Sequence, residues 1–267
     1  MGLGPPDRMR HNQELVQRRL DKNVKAFMAK LDKAMRPRRT AWQQVIGRVR
    51  GLVAGIWKEA TVEMYGSCYT GLELPSSDVD LVVCGIGGRS YKYGAGREQY
   101  SRYDSHQTIL ALQKLANVLQ EQPWVRGMKV IESTAIPVIK VLADPVRNGN
   151  ANASTPFSFD EGPPEDAWQG GGSGLDYIPL DISFESPMHG GIASSKWVRE
   201  CLREERFARA ALPAVLVLKE MLCQRGLNQP WSGGLSSYAL INMMVTVLQV
   251  AQVEAARARK LRRLREH

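Results

Sequence analysis

Two aspartates separated by one residue, Asp78-Val79-Asp80, lead into the apolar run Leu81-Val82-Val83, and a third, Asp181, interrupts the apolar segment YIPLDISF. Alternate residues of a strand share a face, so Asp78 and Asp80 present two carboxylates side by side, where like charges repel. A pair of divalent cations about 3.5–4 Å apart resolves that repulsion and creates a site for in-line phosphoryl transfer. Asp181 supplies a third carboxylate from a strand in which a buried charge is costly unless it has a partner. Ten residues separate Asp78 from Gly66-Ser67, which directly follows the strand-forming run Thr61–Tyr65. A tight turn at that place leaves backbone N–H groups open to phosphate oxygens. A lone DxD is common in solvated turns; the turn, the pair and the third strand-borne aspartate together are not.

The elements that would position these groups are read from periodicity. Leu15, Val16, Leu20, Val24, Phe27, Met28 and Leu31 recur at helical spacing and predict a helix over 12–34. Pro37 interrupts it, and a second helix is predicted over 40–58 with Thr40 as its cap. Strands are predicted at 61–65, 79–84, 125–132, 136–143 and 177–184, with a helix at 105–121 after a Gly-, Tyr- and Arg-rich loop over 85–103. The stretch 148–174, NGNANASTPFSFDEGPPEDAWQGGGSG, breaks both periodicities and is expected to be a disordered insertion. Helices follow at 192–206, at 212–225 and from Tyr238 onwards. The order implies an α/β fold in which a mixed sheet with helices forms one domain and helices from both chain ends assemble a second. We therefore assign residues 10–58 to flanking helices, the first of them joining the helical domain. Residues 59–186 form the sheet domain, and 187–267 the helical domain.

A chain of 267 residues, 43% hydrophobic and 24% charged, has ordinary globular composition. Its 36 Lys and Arg against 27 Asp and Glu give a net charge of +9, which favours phosphate-bearing partners. Cys68, Cys84, Cys201 and Cys223 are scattered without a CxxC pair, which speaks against a zinc site or a disulfide framework. No apolar run reaches the roughly 18 residues of a membrane span, and the first residues, MGLGPPDRMRHNQ, hold no signal core. The expectation is a soluble intracellular protein without a membrane partner.

The segment YGSCYTGLELPSSDVDLVV resembles the signature of the DNA polymerase β nucleotidyltransferase superfamily. Within it the likeness is to noncanonical poly(A) polymerases of the TRAMP type and to terminal uridylyltransferases. The blocks QQVIGRVRGLVAGIWKEA, TAIPVIKV, PLDISFE and LVLKEMLCQRGLNQPWSGGLSSYAL resemble further family segments in order, over about residues 20–250. The resemblance implies template-independent addition of nucleotides, AMP from ATP foremost, to RNA 3′ ends with two Mg²⁺ or Mn²⁺ ions. Asp78 and Asp80 match the two metal-ligating aspartates, and Asp181 the third, which also activates the primer hydroxyl. Gly66 and Ser67 match the pair that grips the triphosphate, Lys219 the lysine that neutralises its β/γ-phosphates and Ser237 a triphosphate-contacting serine. Tyr238 matches the aromatic on which the base stacks, a contact every base can make. A helicase and a zinc-knuckle RNA-binding protein are the partners the resemblance implies, and the nucleus, with the cytoplasm as alternative, the compartment.

The chain departs from the family pattern at three places. Gly190 stands where many relatives carry an Asn that reaches the ribose. Cys223 stands where uridylyltransferases carry a second lysine, which tilts the choice towards adenylation. Family members continue beyond the SSYAL helix with a base-reading segment, whereas here a basic run follows (Arg257, Arg259, Lys260, Arg262, Arg263, Arg265). The chain is accordingly expected to be a fragment of a longer enzyme, binding nucleotide weakly and selecting poorly among bases. Terminal uridylyl transfer and a catalytically silent RNA-binding or scaffold paralogue are the rival readings.

Overall fold

A computed structural model describes residues 5–86, 102–146 and 177–265. The insertion 148–174 lies wholly outside them, and so does most of the loop at 85–103. Five strands, β1 (Thr61–Tyr65), β2 (Val79–Cys84), β3 (Val125–Ile131), β4 (Val138–Ala143) and β5 (Ile178–Phe184), form one sheet in the order β1-β2-β5-β4-β3. β2 and β5 run parallel, and the other neighbours are antiparallel. Leu81, Val82, Ile139, Val141, Leu142, Leu180 and Ile182 are fully buried, as a mixed sheet covered on both faces requires. The five strands match the sequence reading to within two residues.

The described residues also form six α-helices: α1 (Pro5–Ile56), α2 (Gly66–Thr70), α3 (Arg102–Gln120), α4 (Gly191–Cys201), α5 (Glu205–Gln224) and α6 (Ser237–Arg265). The two helices expected on either side of Pro37 are a single one, and Thr40 is internal to it rather than a cap. Proline removes one backbone donor and crowds the carbonyl four residues back. Here Pro37 is itself exposed, and buried residues on both sides keep the helix continuous, Leu31 and Met35 before it and Trp42, Val45, Ile46 and Val49 after it. Gly66-Ser67, read as a turn, opens the short helix α2, which ends at Gly71 in the left-handed conformation.

The chain divides into two compact units, Pro37–Glu204 and Met1–Arg36 together with Glu205–His267. The second half of α1 falls with the sheet, and so does α4, which the sequence reading had assigned to the helical domain. The helical unit does combine segments from both ends. Its α6 corrects the count of apolar runs: an 18-residue window within Ser237–Leu264 reaches a mean hydropathy of 1.4, enough by length and composition to cross a membrane. Core helices of soluble proteins pass the same test, but α6 leaves Met243, Val247, Val250 and Val253 exposed.

Candidate active site

The sheet register brings distant residues into one row. Tyr65 of β1 pairs with Asp80 of β2, Asp80 with Asp181 of β5, and Asp181 with Lys140 of β4. Asp78 immediately precedes β2, and one carboxylate oxygen from each of Asp78, Asp80 and Asp181 lies within 4.8 Å of the others. Three half-buried carboxylates at that spacing are a hard oxygen donor set of the kind divalent cations take. Their mutual repulsion is itself an argument for a cation among them.

Lys140 is the residue the sequence analysis missed. Its Nζ donates to both oxygens of Asp181, at 2.8 and 2.6 Å. The signal was present, since Lys140 interrupts the apolar strand VIKVLA as Asp181 interrupts its own. Burial raises the Asp181 carboxyl to about 6, and the neighbouring Asp78 charge adds to this, while Lys140 works in the opposite direction. A raised carboxyl value means that this group favours the fold in its protonated state, a contribution lost as pH rises through about 6. Metal binds the ionised form, so it competes with the proton. We expect Mn²⁺ to raise the melting temperature by several degrees at pH 7.5, and by much less at pH 5. Thermal scans at the two pH values check this; an equal increment in the double variant Asp78→Asn/Asp80→Asn would place the ion elsewhere.

Gly66 is required for a spatial reason. It sits at φ +69°, and a Cβ there would run into the Asp80 carboxylate. Its N–H is not open to phosphate as the sequence suggested, because it donates to Ser195 Oγ of α4 at 2.8 Å. Ser67 O accepts from Leu72 N–H and from Thr70 Oγ1, each at 3.1 Å, which closes α2, and the Cys68 thiol donates to Asp78 O at 3.2 Å. The segment that follows β1 is thereby fastened to the start of β2.

Below the carboxylates lies a neutral polar layer. Ser183 Oγ donates to Leu81 O at 3.1 Å and therefore accepts from His189 Nε2 at 2.9 Å, with Tyr65 Oη at 3.4 Å. Burial lowers the His189 value, so its imidazole is neutral, and burial with the Asp80 charge pushes the Tyr65 phenol up. The Tyr65 and His189 rings meet edge to face, 4.8 Å between centroids. Gly191, like Gly66, leaves no room for a side chain, since a Cβ would come within 2.6 Å of the Tyr65 ring.

Lys219, Ser237 and Tyr238 belong to the helical unit. Lys219 is buried on α5, while Ser237 and Tyr238, exposed, begin α6. The cap of that helix is the preceding residue, Ser236, whose Oγ accepts from Ala239 N–H at 3.1 Å.

A mixed sheet bearing three carboxylates on and just before two parallel neighbours, beside a Gly-Ser segment, has the polymerase β-like nucleotidyltransferase fold. Comparison with known proteins gives the finer statement. Residues 20–149 match the family of mitochondrial-like poly(A) RNA polymerase central palm domains. The chain is 29% identical over 226 residues to the inactive noncanonical poly(A) RNA polymerase protein Trf4-2 of Drosophila melanogaster, covering 83% of this chain and 41% of that protein. It is 26% identical over 209 residues to the poly(A) RNA polymerase cid14 of Schizosaccharomyces pombe, covering 77% of this chain and 23% of that one. In structure it resembles the polymerase core of TRAMP, an RNA surveillance complex, with a TM-score of 0.52 and 25% identity, over 82% of this chain and 51% of the other. The chain is similar to noncanonical poly(A) polymerases, and it spans less than half the length of the curated relatives it matches.

Proposed function

We propose that this protein adds nucleotides without a template to RNA 3′ ends, with ATP as the preferred substrate. The observation that carries the reading is the convergence of Asp78, Asp80 and Asp181 within 4.8 Å on neighbouring parallel strands. These residues would hold two Mg²⁺ or Mn²⁺ ions, which supply charge neutralisation for phosphoryl transfer. Asp181, paired to Lys140 and raised to about 6, is the group poised to accept a proton from the primer 3′-hydroxyl. Ser67 holds the triphosphate, and Gly66, lacking a Cβ, lets the chain just before Ser67 pass close to Asp80. Lys219 and Ser237 are assigned to the triphosphate and Tyr238 to the base, on their match to the family motif. The rate enhancement then comes from positioning and electrostatics rather than covalent catalysis.

Assembly with a helicase and a zinc-knuckle RNA-binding protein, and work in the nucleus, complete the proposal and rest on the family resemblance. The exposed basic end of α6, Arg257 to Leu264, is consistent with a polyanionic substrate. A second reading is supported by one relative, Trf4-2, whose name describes it as inactive: the chain would then be a silent RNA-binding paralogue.

One assay separates these readings. A labelled RNA oligonucleotide is incubated with each of the four nucleoside triphosphates and Mg²⁺ or Mn²⁺, and the products are sized on a gel. We expect extension, with ATP used best. Preference for UTP would make the protein a uridylyltransferase, and no extension with any triphosphate would leave the silent reading.

A further inference from the structure

α4 holds the α2 segment through a single face. Ser195 Oγ accepts the Gly66 N–H at 2.8 Å, and four residues on, the Arg199 guanidinium lies 4.6 Å from the Tyr69 ring centroid. One turn before Ser195, Ile192 packs on Val82 and Cys84 with Tyr65 against them, and Gly191 meets the Tyr65 ring. Residues 191, 192, 195 and 199 occupy one side of α4, as their spacing dictates. Ser195 is 5% exposed, so its hydroxyl does not serve solvent. The backbone amide it engages belongs to a residue with two constraints already, a positive φ and no space for a Cβ beside Asp80. Ser67 is the next residue, so the direction of its side chain and amide follows from the Gly66 peptide.

We infer that Ser195 is a positioning residue for the nucleotide phosphates: its hydroxyl fixes the Gly66 peptide and so sets where Ser67 meets the triphosphate. The inference deepens the proposed function and rests on its assignment of Ser67. Removing the hydroxyl leaves Gly66 N–H without its partner and lets the turn relax away from Asp80. A neutral hydrogen bond of this kind corresponds to about a fivefold change in an equilibrium constant. The loss falls on binding of the phosphates, because Asp78, Asp80 and Asp181 keep their places in the sheet.

Ser195→Ala removes the acceptor and Ser195→Thr retains it, so the two variants are compared with the parent in two measurements. The first is primer extension, in which Ser195→Ala should raise KM for the triphosphate about fivefold with kcat changed less than twofold, while Ser195→Thr keeps the parental KM. The second is calorimetry with tripolyphosphate and Mg²⁺, in which Ser195→Ala should bind about fivefold more weakly than Ser195→Thr. Equal KM and equal tripolyphosphate affinity in the two variants would overturn the inference. So would a fall in kcat with KM unchanged, since that is what a general loss of active protein produces. If the parent extends no RNA with any triphosphate, the proposed function fails, and the calorimetric comparison still decides the role of Ser195.

Discussion

Replacing Asp78 and Asp80 together with Ala should reduce nucleotide addition by about a thousandfold or more, equivalent to about 4 kcal/mol of transition-state stabilisation. The two residues supply two of the three carboxylates in the cluster, and without them no pair of cations is held in place. The same change should leave the metal-free protein as stable as the parent or more so, because it removes like charges from a half-buried site. Asp181→Ala should behave differently. It strips Lys140 of both hydrogen bonds to the carboxylate, and the Lys140 side chain is 31% exposed, so part of its charge is left poorly solvated. Equal loss of activity but lower stability is therefore the expected profile of Asp181→Ala. Single-turnover extension assays and thermal scans of the purified variants test both statements. Substantial extension by the double variant would refute the mechanism outright.

Gly66→Ala is expected to cost about a hundredfold in activity in a protein that still folds, as displacing a catalytic group by about an ångström does elsewhere. Two penalties combine there. Alanine in the left-handed region costs about 1–2 kcal/mol, and the new methyl group collides with the Asp80 carboxylate, which has to move. Gly71 separates the two, because it has φ +79° with nothing within 4 Å of its hypothetical Cβ. Gly71→Ala thus carries the backbone strain without displacing a carboxylate. Gly66→Ala should lose more stability than Gly71→Ala, and it alone loses the greater part of its activity. If both variants lose activity alike, strain in α2 rather than the place of Asp80 is what the glycine protects.

Sequence by itself determined the three carboxylates and the strands that carry them. Asp78, Asp80 and Asp181 stood out because a charge in or beside an apolar strand contradicts the burial its neighbours announce, and apolar, β-branched runs between turn signals located the five strands of the described residues. The same test applied to VIKVLA would have found Lys140. Sequence could not show that Asp80, Asp181 and Lys140 lie in one row, because register between strands some 40 to 100 residues apart is set by the closed sheet and not by either strand alone. It misjudged Pro37, whose local cost is absorbed by buried residues on both sides of it in α1. It also read the Gly66 amide as open, since nothing near Gly66 in the chain announces a hydroxyl 129 residues away. Ser195 looks like any small polar residue of a helix, and its hydrogen bond exists through the docking of α4 on α2. Residue types decided which reaction is chemically available; tertiary packing alone decided which backbone and side-chain groups are engaged, because those contacts join segments far apart in the chain.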